Sequence, residues 1–110
     1  MAEDKHLPTL KGPLEVLKDN GVWPSPLEFT KGKSVDDPIV IAGIHDYVRM
    51  EYRILKILYR FRKSEVLIQG LCEKKGRHID CLLVKVSHED GSDEHTEKIY
   101  FDITEGFNSL

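Results

Sequence analysis

The residue whose type and position call for chemistry is Glu51. The run DPIVIAGIHDYVRMEYRILKILYRFRK spans Asp37 to Lys63. Placed on a helix at about 100° per residue, it puts Ile44, Tyr47, Val48, Tyr52, Leu55, Leu58 and Tyr59 on one arc. Ile54, Ile57 and Phe61 widen that arc, and Glu51 falls in its middle, between Val48, Tyr52 and Leu55. A carboxylate there must find a partner, reach water, or keep its proton with a raised pKa. Buried carboxyls with shifted pKa values gather at functional sites, although structural ion pairs shift them too. Two readings follow. Glu51 snorkels out or pairs with a nearby arginine, or it lines a ligand pocket with Tyr47 and Tyr52 beside it.

A second set lies in the C-terminal half. His78 and Asp80 are two apart in a strand-like run, so they share a face. Asp102 approaches that face if the following strand pairs with theirs. A histidine with two or three carboxylates, Glu51 included, suits acid–base work or a metal. Leu82, Val84 and Val86 continue the same face, which makes it the core face and sets the polar pair at its rim. No metal or cofactor is assigned. Cys72 and Cys81 do not form a CxxC pair. The acidic turn HEDGSDEH (His88–His95) lacks the ordered DxDxDG and closing glutamate of a calcium loop, and reads as a solvated turn. His45 and Asp46 are adjacent on a helix and point in different directions, and Asp46 suits the helix dipole. Phosphate loops, nucleophile elbows and HExxH are absent, which lowers the weight of an enzymatic reading without removing it.

A third set is basic. Arg49, Arg53, Lys56 and Arg60, spaced by four, three and four, stack opposite the apolar arc and are extended by Lys63. Tyr52 and Tyr59 flank this stripe and could stack on bases. No nucleic-acid motif accompanies it and the net charge is −3. A solvated helix face is the stronger reading, and an acidic protein surface or a nucleic acid the weaker.

The elements that must position these residues come next. A chain of 110 residues, 40% hydrophobic and 32% charged, is ordinary for one globular domain. No run approaches ~18 apolar residues, and MAEDKHLPTLKG has neither the charged start nor the apolar centre of a signal peptide. The expectation is a reduced, cytoplasmic protein with no membrane segment. Residues 1–12 are expected to be flexible and residues 13–110 to form the domain.

Pro13–Asn20 predicts a short helix, with Leu14 and Leu17 on one face and Asn20-Gly21 as its stop. VWPSPLEFTKGKSVDD reads as a loop pinned to the core by Val22, Trp23, Leu27 and Phe29; Trp23 is otherwise an anchor for a partner. The long helix starts at a cap on Asp36 or Asp37, with Pro38 in its first turn. Its second half, from Leu55 to Phe61, also fits strand alternation. Val66–Glu73 and Arg77–Ser87 predict a hairpin. With Gly76 as the first central residue of a type II′ turn, Cys72 stands opposite Cys81. With the turn centred on Lys75-Gly76, Cys72 stands opposite Ile79. Both registers make the thiols neighbours, read here as small core residues. Lys98–Thr104 is the third strand, with Ile99, Phe101 and Ile103 on one face. Gly106 ends it and Phe107 folds back onto the core.

This order gives an α+β architecture: an N-terminal short helix, then a long central helix packed on a three-stranded antiparallel meander. Half-cone folds of the NTF2-like and cystatin-like kind are built this way, with a pocket at the open end, a comparison at the level of fold alone. GRHIDCLLVKV, the acidic turn and KIYFDITEGF resemble the C-terminal hairpin of small, uncharacterised bacterial α+β proteins over about a third of the chain. That resemblance implies no activity.

Three functions compete. The leading one is a non-enzymatic binding module for a protein partner or a small apolar ligand near Glu51. The others are a small enzyme using Glu51 with His78, Asp80 or Asp102, and a nucleic-acid binder using the basic stripe. Homodimerisation through an edge strand or the Trp23 loop is a further expectation. All three functions presuppose that Asp37–Lys63 is one continuous helix beneath a curved sheet.

Overall fold

The computed structural model describes residues 11–22, 29–42 and 46–108. Trp23, Leu27, Ile44, His45 and residues 1–10 therefore lie outside the described residues. Along the chain run α1 (Pro13–Asp19), β1 (Ile39–Val40), α2 (Tyr47–Leu58), β2 (Lys63–Lys74), β3 (Arg77–Ser87), β4 (His95–Asp102) and α3 (Thr104–Asn108). The strands form one mixed sheet in the order β1-β4-β3-β2. β1 runs parallel to β4, and the other pairings are antiparallel. The fold is α+β, with four strands where three were expected.

The additional strand comes out of the span expected to begin the long helix. Ile39 pairs with Phe101 and Val40 with Asp102, and Ile39 and Ile41 are buried. β-Branched residues fit a pleated surface better than a helix, and three in a row outweigh a continuing helical period. Pro38 stands just ahead of the ladder, where its missing N–H costs no bond. Asp37 gives its carbonyl to the Gly32 N–H and its carboxylate to Lys31, so it caps no helix. The cap of α2 is Asp46, whose Oδ1 accepts from the Arg49 N–H at 3.2 Å. α2 ends with Tyr59 as its C-cap. Its 12 residues span only about 18 Å. The long central helix is absent, and the half-cone comparison loses its basis.

α1 forms where expected, but its buried residues are Val16 and Leu17, while Leu14 is 52% exposed. Its stop has a second use. Asn20 donates from Nδ2 to the carbonyls of Val16 and Val40, and its Oδ1 accepts the Val40 N–H at 2.8 Å. One side chain thus ends the helix and satisfies the outer edge of β1. On the inner side, the Tyr100 N–H donates to the Gly32 carbonyl. Gly32 has φ +88°, and a Cβ there would meet the Ile39 side chain at 2.9 Å, so this turn needs glycine.

The β2–β3 turn has positive φ at both Lys75 (53°) and Gly76 (77°), the signature of type I′ rather than type II′. Of the two registers, Cys72 opposite Ile79 is therefore the one formed, with Cys81 opposite Gly70. The thiols are free, Cys72 exposed and Cys81 half-buried. They belong to the outer face of the sheet and not to the core.

The His88–Glu94 turn is polar, with Asp90 Oδ1 accepting from the Ser92 N–H and hydroxyl. β4 starts at His95 and ends at Asp102. Phe107, on α3, packs against the core as expected. That core joins Met50, Ile54, Leu55 and Leu58 of α2 to Leu82, Val84, Ile99 and Phe101 of the sheet, with Val16 and Leu17 from α1. No helix among the described residues is long and apolar enough to cross a membrane.

Candidate functional site

Although the continuous helix fails, Glu51 keeps the position its periodicity implies, because α2 still contains it. The buried face of α2 is Met50, Glu51, Ile54, Leu55 and Leu58. Val48 and Tyr52, expected to border Glu51, are largely exposed. The helix is turned away from the wide arc, and Tyr52 leaves the site. Glu51 is 0% exposed and faces Asp80 of β3, itself 3% exposed. Gln69 of β2 spans the two carboxyls: its Nε2 donates to Asp80 Oδ2 at 2.6 Å and to Glu51 Oε1 at 3.2 Å. Both amide hydrogens are thereby used.

Glu51 Oε2 meets no donor. As an anion it would be an unpaired buried charge, which is expensive. Protonation removes the difficulty, because the carboxyl then donates to Asp80. Burial, followed by that hydrogen bond and by the negative charge of Asp80, pushes the Glu51 pKa up to about 10. Tyr47, one turn before Glu51, has its hydroxyl pKa raised by burial and by the charges of Asp80 and Glu51. Tyr47, Glu51 and Asp80 are thus brought together, a juxtaposition the sequence left open. Gln69 was missed, although a lone amide in the uncharged run VLIQGLC was its signal. The group can store one proton between two carboxyls. Glu51 and Asp80 are closed to solvent, which gives a substrate no route to them.

The remaining pocket candidates go elsewhere. The register pairs Ile79 with Asp102, so Asp102 is on the sheet face opposite Asp80. There it accepts from Arg77 Nε at 2.7 Å and holds the N–H and hydroxyl of Thr104, fastening the start of α3. Burial opposes ionisation of Asp102, but the Arg77 and Thr104 bonds outweigh it and lower the pKa. His78 does share a face with Asp80, yet its ring stacks on Phe107 with centroids 4.0 Å apart and its Nδ1 approaches Glu73 at 3.7 Å. Asp46, the other half of the His45–Asp46 pair, is occupied as a cap. Arg49, Arg53 and Lys56 form an exposed row on α2, with Arg49 paired to Asp46. Arg60 lies past the helix end, against the Phe61 ring, and Lys63 begins β2, so the expected stripe loses both.

A cleft of about 460 Å³ opens at the far end of the sheet, between Lys63, Glu65, Lys85, Ser87 and Glu94, and another of about 230 Å³ lies between Asp36, Lys74, Lys75, Arg77 and Asp102. Neither is lined by Glu51. Among the described residues, the outer edge of β2 is left unpaired. β2 has 12 residues, ends the sheet, and pairs only with β3 among the described residues. Leu67, Ile68 and Leu71 are 45%, 62% and 52% exposed, and no charge interrupts the run from Val66 to Cys72. A slip in register between Val66 and Ile68 marks a β-bulge, after which Ile68–Lys74 pairs regularly. No protein-family profile, curated sequence or solved structure matches the chain, so its function must be reasoned from this geometry alone.

Proposed function

We propose that this domain is a protein-binding module that takes an extended segment of its partner as an added strand along β2. One observation carries the reading. The two edges of the sheet are treated differently: β1 is closed by Asn20, whereas β2 presents a 12-residue edge with charges only near its ends and none from Val66 to Cys72. Natural edge strands are usually short, charged or covered, and a long bare one invites pairing. Strand addition supplies main-chain hydrogen bonds for affinity and leaves alternate side chains to select the partner. Each added ladder bond contributes about 0.5–1.5 kcal/mol net. Covering Leu67, Ile68 and Leu71 adds about 25 cal/mol per Å² of apolar surface removed from water. A small apolar ligand beside Glu51 is less well supported, since the carboxyls there are occupied by each other and by Gln69.

The test is selection of extended peptides from a displayed library, followed by amide shift mapping of the bound complex. Peptides that perturb and protect Lys63–Lys74 support strand addition. A folded domain that yields no binders, or binders perturbing α2 and β1 while leaving β2 untouched, overturns it.

A further inference from the structure

We propose that the outer face of the sheet carries a two-coordinate site for a soft monovalent cation, copper(I), held between the sulfurs of Cys72 and Cys81. The first support is register. Cys81 stands opposite Gly70, and Cys72 opposite Ile79, in the β2–β3 ladder. Gly70 and Cys72 are two apart, so the thiols share one face as diagonal neighbours on adjacent strands. On the other side of Cys81, Tyr100 of β4 is its direct partner. This is the face away from Asp80 and Leu82, opposite the side on which α2 packs. Tyr100 ties the group together: burial, then the charge of Cys81 and a hydrogen bond with it, then the charge of Cys72, raise its hydroxyl pKa. Both thiols therefore lie close enough to act on one phenol.

The second support is reach. Diagonal neighbours have Cα atoms about 7–8 Å apart, whereas a disulfide needs them within about 7 Å. Both thiols are free. A bridging ion lengthens the link. With metal–sulfur bonds of about 2.3 Å the two sulfurs stand up to about 4.6 Å apart, against about 2 Å in a disulfide. A bis-thiolate thus spans a diagonal that a disulfide does not. The third support is space. Gly70 lies between Ile68 and Cys72 on this face, and a Cβ there meets nothing within 4 Å. The gap opposite Cys81 is open to an entering ion, and the exposed Cys72 offers it a first ligand.

The donor set selects the ion. Among the described residues no group of three or more histidine, cysteine or acidic side chains is placed to hold a metal, so zinc lacks the four ligands of its structural sites. Two thiolates alone suit a soft cation, and copper(I) is the biological one. Both S–H protons leave to solvent as the two copper–sulfur bonds form, giving a complex of charge −1 with no change of oxidation state.

The test is anaerobic titration of the reduced chain with copper(I) against a chromophoric copper(I) chelator. One ion per chain is expected, with both thiols then protected from alkylation and the amides of Gly70, Cys72, Cys81 and Tyr100 shifted. Cys72→Ser and Cys81→Ser, each with an unchanged circular dichroism spectrum, are expected to lose the ion. Cys72→Ala and Cys81→Ala repeat the measurement if a serine chain does not fold. A parent chain that leaves the copper with the chelator overturns the proposal, as does a folded single variant that still binds. Two ions per chain, one on each thiol, overturn it too, and so does one ion shared between two chains through Cys72, read as a doubled mass in sedimentation.

Discussion

Replacing Glu51 by glutamine is expected to stabilise the protein at neutral and alkaline pH. In the fold Glu51 holds its proton to about pH 10, against 4.5 for its ordinary value. The folded state therefore binds one more proton than the unfolded chain between those limits, and stability falls as pH rises. The sign is opposite to that of a salt-bridged carboxylate. This contribution is fully present below pH 4.5 and lost progressively up to about pH 10. At pH 7 the chain has climbed about 2.5 units into that window, and at about 1.4 kcal/mol per unit the loss is about 3.5 kcal/mol. Glu51→Gln keeps the shape of the protonated carboxyl: its Oε1 still accepts from Gln69, and its amide still donates toward Asp80. It cannot ionise in either state, so it escapes the loss.

Urea denaturation followed by circular dichroism checks this at about pH 5, 7 and 9. The parent should lose about 1.4 kcal/mol per pH unit from this group, and the variant should be flatter, with the two nearly equal near pH 4.5. A Glu51→Gln chain less stable than the parent at pH 8, or a parent with level stability between about pH 5 and 9, would refute the shared-proton account. So would a carboxyl resonance of Glu51 that titrates near 4.5.

Other expected outcomes concern the elements around this group. Asn20→Ala deletes the two bonds that close β1 and the one to Val16 that ends α1, and should cost about 2 kcal/mol in urea titration; a neutral result means water satisfies these groups equally well. Gly70→Val should stabilise by about 0.5–1 kcal/mol, because a Cβ there meets nothing within 4 Å and valine suits a strand; a drop in melting temperature shows that something approaches this backbone. His95 has both ring nitrogens on acceptors, the Asp93 carbonyl at 2.9 Å and Glu97 Oε2 at 2.7 Å. First the Asp93 carbonyl and then Glu97 raise its pKa, so its stabilisation is present below pH 6.5 and lost as pH rises through the folded value. His95→Ala should therefore lower the melting temperature at pH 6 and not at pH 9, with the parent's imidazole shift titrating above 6.5.

What could be read without coordinates was local. Pro13 and Asn20-Gly21 bounded α1, alternation and turn residues marked the hairpin and β4, and the burial of Glu51 survived every error around it. That burial survived because positions 51, 54, 55 and 58 share a face over any helix containing them, whatever its ends. Ile39–Ile41 was misassigned because a periodicity count does not reveal a partner. Those residues become a strand only because Phe101 and Asp102, some sixty positions later, offer them an edge.

Parity was hidden in the same way. Asp102 could be brought to Asp80 or sent to the far face by a shift of one residue in the β3–β4 register, and the side chains alone carried no preference that a reader of the chain could weigh. The type I′ turn at Lys75-Gly76, and with it the place of both thiols, was one of two registers open to the same residues. The rotation of α2 that exposed Val48 and Tyr52 and set Glu51 beside Gln69 came with the burial of Met50, Ile54, Leu55 and Leu58 in the core shared with the sheet. Local propensity chose the elements. Which edges were left bare, and which carboxyls were forced to share a proton, depended on contacts between residues far apart in the chain.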